Sequence, residues 1–556
     1  MRKWVSIFAG AATVIAAAGC DDSPLEVENT NQPDIDRAYS TPAGIESVIG
    51  TTFQLTFQAL HGSNTSVKPQ LMNMAFESYA SVANNGMALR AALPRQSIQN
   101  TRGHTTQNEN FREFRQLQLA ARTSTNAIGA LDSLVARSGS LGTTARNARA
   151  RAFAFFGNAT ALGFVALVYD SAAIITPMAI PFPSDITPPL SSAADVMAAA
   201  IALLDSAEAI ATAAPTGTDG FPIPTGWIRG NPLTKDQFIR VVKSYRARFR
   251  ANVARTPAER SAVDWAKVIA DVEGGITQNF EVDLEPSEGW NNAWIGQHHI
   301  YQGWHQMAPF IIGMADTSRA YDAWLALPIN SRAPFLIRTP DKRFPSGETR
   351  AAQITNSPAT PAGTPLYFRN RATGLDTPGE PWGTSYYDHY RFIPLYNASS
   401  RGRWPVITKV EMDMLAAEGH IRAGRFAQAA ALIDKSRIPA GLPSLVAANI
   451  TSATQPVPGG NACVPRVPAA PSYTATVCGN IFEALKWEKR METTLTGYAV
   501  WYFDSRGWGD LPEFTGLEYP VPYQELDARG RNLPLGGYNL GGQGLPSAAA
   551  KGTYGF

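Results

Sequence analysis

Thr408 to Ser436 reads TKVEMDMLAAEGHIRAGRFAQAAALIDKS. Val410, Met414, Ala417 and Ile421 recur at helical spacing and line one face of a helix. Gly424 then stands where a left-handed residue closes a helix. Arg425-Phe426-Ala427-Gln428-Ala429-Ala430 starts a second helix that runs to about Ser436. Two helices joined by so short a turn fold back on each other, and the small residues between them permit close approach.

The same pattern extends toward the N-terminus. Thr41-Pro42, an N-cap followed by proline in the first turn, opens a run carrying Ile45, Val48, Ile49, Phe53 and Phe57 at helical spacing. Phe111 to Val135, Arg146 to Tyr169, Ser191 to Ala211, Gln237 to Ala251 and Asp264 to Ile276 repeat it, with polar or Pro-rich loops between. The unit at 408–436 resembles a tetratricopeptide hairpin. The predicted fold is therefore mainly α: a tetratricopeptide-like helical-hairpin scaffold with long aromatic-rich loops and little β. Phe153 to Tyr169 is apolar, but Gly157, Asn158, Thr160 and Gly163 interrupt it, so it reads as a buried core helix. Residues 41–276 form an N-terminal helical region. Over 277–405, Trp, Tyr, Pro, Gly and Asn interleave with little helical period outside Met307 to Leu325. Residues 406–556 hold the hairpin, a last long helix from Ile481 to Tyr502, and a Gly-rich tail.

Residues 1–19 read as a targeting signal. Arg2 and Lys3 precede an apolar run from Trp4 to Ala18, too short for the ~20 residues of a membrane-spanning helix. Ala17-Ala18-Gly19-Cys20 has the form of a bacterial lipobox, which makes Cys20 the expected lipidation site. Acyl chains contribute about 0.8 kcal/mol per buried methylene, and two or more anchor a protein stably. Residues 20–40, acidic at Asp21 and Asp22 and broken by Pro24 and Pro33, read as a tether. Loss of Arg2 and Lys3 takes the 48 basic residues to 46, equal to the 46 acids. A neutral chain without basic runs argues against nucleic acid as a partner. With Cys20 acylated, Cys463 and Cys478 remain as an even pair in an exported chain and are expected to form a disulfide.

Three segments, in order, resemble the SusD/RagB family of outer-membrane lipoproteins. The first is Ala150-Arg151-Ala152-Phe153-Ala154-Phe155-Phe156 through Tyr169, followed by Ile180-Pro181-Phe182 and a helix containing Leu204-Asp205-Ser206-Ala207. The second is Glu411 to Arg437. The third is Glu488-Lys489-Arg490-Met491-Glu492, then Gly497, then Phe503-Asp504-Ser505-Arg506-Gly507-Trp508-Gly509, with Tyr519-Pro520-Val521-Pro522 beyond. The resemblance implies a non-enzymatic, cell-surface nutrient-binding protein in the outer membrane. It also implies a SusC-like TonB-dependent barrel as partner, with no cofactor. Glu488, Glu492, Asp504 and Arg506 are expected to form a structural ion-pair network rather than a catalytic site.

Two aromatic–amide clusters are the expected ligand platform. One comprises Trp290, Asn291, Asn292, Trp294, Tyr301 and Trp304; the other comprises Trp382, Tyr386 and Tyr387. Ring faces stack on sugar C–H faces, and planar amides pair with hydroxyls, so oligosaccharide is favoured, with peptide as the alternative. Asn84, Asn85, Arg90 and Arg95 offer a lesser polar surface. His298, His299 and His305 match no common zinc spacing, so no metal is expected. Nucleophile elbow, zincin, P-loop and dinucleotide fingerprints are lacking. A surface glycoside hydrolase using Asp283, Glu285 or Glu288 is the enzymatic rival, and a helical scaffold that binds only protein is the third reading.

Overall fold

The computed structural model describes residues 38–80, 86–96, 98–100, 102, 107–177, 188–215, 219–300, 305–357, 366–374, 380–530, 548 and 550–556. Cys20, Asn84, Asn85, Tyr301 and Trp304 lie outside them, as does the signal segment. Among the described residues the helices of nine residues or more are α1 (Pro42–His61), α2 (Gln107–Ala136), α3 (Thr144–Val168), α4 (Ala193–Ala213), α5 (Lys235–Asn252), α6 (Trp265–Glu273), α7 (Lys409–Arg422), α8 (Phe426–Arg437), α9 (Ile481–Thr493) and α10 (Val500–Trp508). Successive helices pack side by side: α2 on α3, α3 on α4, α4 on α5, α5 on α6. The helix α7 continues the array by packing on α6 and then carries α8 and α9. This is the tetratricopeptide-like scaffold expected from the sequence.

Local chemistry sets the ends of these helices. Thr41 Oγ1 accepts from Gly44 N at 3.1 Å, and Pro42 occupies the first turn of α1. At the α7–α8 turn Gly424 has φ +70°, Gly424 N donates to Ile421 O at 2.9 Å and Arg425 N donates to His420 O at 2.8 Å. That is the paired-carbonyl closure expected of a left-handed glycine. In α3 the glycines are packing devices. A Cβ on Gly157 would lie 2.4 Å from Thr52 Oγ1, and one on Gly163 would lie 2.2 Å from the Phe249 ring, so α1 and α5 both approach α3 at glycine. Among the described residues α3 and α4 are long and apolar enough to cross a membrane, but neighbouring helices bury nearly all of α3.

The region read as one long helix from Ile481 to Tyr502 is two helices. Leu495, Gly497 and Ala499 all take left-handed φ, and they separate α9 from α10. Gly497 is held there because its N–H donates to Pro405 O at 3.2 Å and its carbonyl accepts from the buried Lys68 Nζ at 3.2 Å.

Among the described residues ten short strands form five antiparallel pairs. They are β1 (Tyr79–Ala80) with β5 (His305–Gln306), β2 (Ser171–Ala173) with β3 (Leu190–Ser192), β4 (Phe280–Leu284) with β8 (Gly402–Ile407), β6 (Phe368–Asn370) with β7 (Tyr387–His389), and β9 (Arg466–Pro468) with β10 (Thr476–Cys478). The β4–β8 pair matters most, because it joins the two ends of the 277–405 stretch. That stretch leaves the array after α6 and returns at α7, so α6 and α7 can pack directly. Cys463 and Cys478 are joined by a disulfide with Cα atoms 5.8 Å apart.

Candidate functional site

The two aromatic clusters come together, but they turn inward. Met307 N donates to Tyr387 O at 3.0 Å, and Gln306 Oε1 accepts from both Ser385 N and Arg371. Trp290 is 2% exposed, with its ring centroid 5.2 Å from Phe57 and 6.3 Å from Phe53 of α1. Trp294 is 0% exposed and meets His298 and His305 edge-on. Trp382 is buried against Tyr79, and the buried Tyr387 donates its hydroxyl to Gln353 Oε1 at 2.7 Å. Asn292 is buried and caps the helix Ala293–Ile300 through Trp294 N, whereas Asn291 is half-buried. Tyr386 is half-buried under the Arg350 guanidinium, 4.1 Å from its ring centre. An exposed platform built on Trp290, Trp294, Trp382 and Tyr387 is therefore corrected: these rings are core. The physical reason is area, since burying one such ring contributes roughly 2–3 kcal/mol and soluble surfaces rarely leave several uncovered. Arg90 and Arg95 are also buried, with Arg95 donating to the Asn73 and Met74 carbonyls.

The charged residues of the third motif are structural. Asp504 accepts from Lys489 at 2.7 Å and pairs with Arg260 at 3.2 Å, and Arg260 also pairs with Glu418 at 2.7 Å. Glu488 pairs with Arg343 at 2.9 Å, and Arg490 pairs with Asp510 at 2.5 Å. All are buried. Arg506 departs from the expected network and donates instead to the Leu517 and Asn252 carbonyls. Burial raises the Glu418 carboxyl, but the facing Arg260 outweighs it and holds the group at about 2. The pairs lock α9 and α10 onto α7 and the short helix Pro257–Ser261.

Hydrolytic chemistry finds little support at 283–288. Glu285 pairs with Arg401 at 2.9 Å and Glu288 with Arg229 at 2.5 Å. The Arg401 and Ser287 contacts pull the Glu285 carboxyl down to about 2, whereas a general acid needs its pKa raised. Glu77 and Glu113 are raised to about 7 by burial, but both lie inside the core. Among the described residues no group of His, Cys, Asp and Glu is arranged to hold a metal ion.

Open concavities lie elsewhere, one of about 390 Å³ between Val272–Thr277 and Lys409–His420 and two that adjoin each other. A depression of about 450 Å³ runs between Leu325–Ile329 and Pro471–Thr474, with Arg332, Lys551 and Phe556 along it. A second, of about 290 Å³, shares Ile329, Arg332, Lys551 and Phe556 and extends to Leu93, Pro94, Glu513 and Phe514. Volumes of ~300–1,000 Å³ suit small-molecule ligands. Leu327 and Phe514 on the rim are among the few large apolar side chains left exposed. Beneath lies a packed aromatic layer: Phe310 stacks on Phe76 at 4.4 Å and meets Phe556, Trp324 and Trp382 at 4.7, 5.0 and 5.9 Å. Trp382 thus supports this groove from below. Sequence reading missed Arg332, Tyr473, Phe514 and Lys551, because four distant segments supply them and none carries a motif.

No protein-family model matches the sequence, and no curated protein matches it. Solved structures do match in fold. A SusD homolog from Parabacteroides distasonis aligns with a TM-score of 0.51 at 12% identity, over 84% of this chain and 85% of its own. A SusD homolog from Bacteroides uniformis aligns with a TM-score of 0.50 at 13% identity, over 92% and 99%. A protein named surface glycan-binding protein A, also from Bacteroides uniformis, aligns with a TM-score of 0.51 at 12% identity, over 89% and 99%. The fold is that of SusD-like proteins.

Proposed function

We propose that this SusD-like chain is a cell-surface lipoprotein that captures oligosaccharide and passes it, unaltered, to a SusC-like TonB-dependent outer-membrane barrel. The observation that carries the reading is the SusD-like fold, which spans 84% to 92% of the chain in these alignments. One of the proteins sharing that fold is named as a surface glycan-binding protein. The N-terminal sequence supports the location: residues 1–19 are removed, Cys20 takes the lipid and residues 20–40 tether the body to the membrane. Helices α1–α6 and α7–α10 then form the frame, and the 277–405 excursion supplies Phe310, Ile329 and Arg332 to the groove. Binding without chemistry fits the ion-paired state of Glu285 and Glu288.

Native purification from gently solubilised membranes tests the partner. The expected result is co-purification with a much larger barrel protein. A clean monomer, repeated across detergents, contradicts the assignment.

A further inference from the structure

We propose that the groove around Arg332 and Lys551 selects acidic oligosaccharides, whose carboxylate or sulfate groups pair with these two cations. The inference rests on the glycan-capture reading and adds the charge class of the ligand.

Arg332 is fixed in place before any ligand arrives. Its Nε donates to Leu327 O and its Nη2 to Leu325 O, both at 3.1 Å, and its guanidinium lies 4.5 Å from the centre of the Trp324 ring. These contacts orient the charge without neutralising it. No carboxylate among the described residues pairs with Arg332 or with Lys551. Neighbouring arginines differ: Arg319 pairs with Asp322 at 2.9 Å and Arg338 with Glu348 at 2.7 Å. Burial pulls the Arg332 guanidinium below its usual range, and an incoming anion would relieve that cost.

The rest of the groove suits a sugar chain. Among the described residues the larger depression has no acidic residue in its lining, and Glu513 borders only the smaller one. Tyr473 and Phe556 are half-buried rings and Phe514 is an exposed one, so pyranose faces have surfaces to rest on. Ser472 and Thr474 add hydroxyls at the edge. Two cations that pair with no carboxylate among the described residues, set beside ring faces, match a chain that alternates apolar sugar faces with anionic substituents. In a formally near-neutral protein such a local excess of positive charge is a specificity element.

The full chain in detergent is titrated with oligogalacturonate, alginate and chondroitin sulfate oligomers. Each is set beside its carboxyl-reduced or desulfated form, and polyglutamate is the peptide control. At least one acidic oligomer should bind at least 10-fold more tightly than its neutral form, and binding should weaken as salt rises. Lys551→Glu, an exposed change, should lower that affinity about 10-fold or more with the melting temperature unchanged. Arg332→Gln should do the same, with melting followed in parallel because this side chain packs on Trp324. Carboxylate and sulfate sources separate by which oligomer binds. Equal or tighter binding of the neutral forms overturns the charge selectivity and leaves glycan capture standing. Binding of polyglutamate alone overturns both. Binding of no acidic oligomer, or Lys551→Glu without effect, also overturns the proposal.

Discussion

Asp170 follows directly on α3, where its carboxylate accepts from Val521 N at 3.2 Å and faces Glu518 and Arg255. Burial, then Glu518, lifts its pKa to about 7. Because the folded value exceeds the unfolded one near 3.9, the folded state holds the proton more tightly. This group's stabilising contribution is full below about pH 4 and is lost as pH rises to about 7, on the order of 2–4 kcal/mol. Asp170→Asn should remove this group's share of the slope from urea melts taken between pH 4 and 8, leaving the share of Glu77 and Glu113, and an unchanged slope refutes the assignment. Trp290 gives a second residue-scale expectation. Its ring packs on Phe53 and Phe57, so Trp290→Ala should cost about 3–5 kcal/mol in denaturant titrations while ligand affinity survives in the folded fraction. Loss of affinity at unchanged stability would return Trp290 to the surface. The aromatic density of 290–305 was legible in the sequence, but its direction was not. Which way a ring points is decided by α1, more than two hundred residues earlier in the chain.

Helices were the most legible elements, because a 3.6-residue period needs no knowledge of the partner. The α7–α8 hairpin follows from Gly424 and its flanking apolar stripes. The break between α9 and α10 was less legible, since only Gly497 marks it while Leu495 and Ala499 are ordinary helix formers forced into left-handed φ. The β4–β8 pair was invisible: its strands lie about 120 residues apart and each is short. Gly163 tests packing against propensity at this scale. Helix propensity alone predicts that Gly163→Ala stabilises by about 1 kcal/mol. The Phe249 ring, 2.2 Å from the added Cβ, predicts the opposite, a loss of roughly 1–3 kcal/mol in thermal or chemical melts. The disulfide offers another test. Cys463→Ser with Cys478→Ser should cost about 3 kcal/mol, the chain-entropy value for a loop of this size. No loss under non-reducing conditions would show the bridge to be dispensable.

The molecule as a whole is a helical array with one long excursion, and the excursion's two ends are tied together so that α6 can pack on α7. Buried Arg248–Glu411 and Arg260–Glu418 pairs then fasten α7 to the N-terminal half. Removing either partner of such a pair typically costs about 3–5 kcal/mol. The scaffold could be anticipated from periodicity and from three ordered motifs, but the groove could not, because Pro94, Arg332, Tyr473 and Lys551 converge only once the chain is folded. Capture without chemistry is tested by saturating the purified full chain with an oligosaccharide that it binds, incubating, and recovering the ligand for mass analysis. Binding should be saturable, with the ligand recovered at its original length and released again on dilution. Shortened or otherwise altered sugar in the recovered fraction, abolished by substituting a carboxylate of the chain, would contradict it.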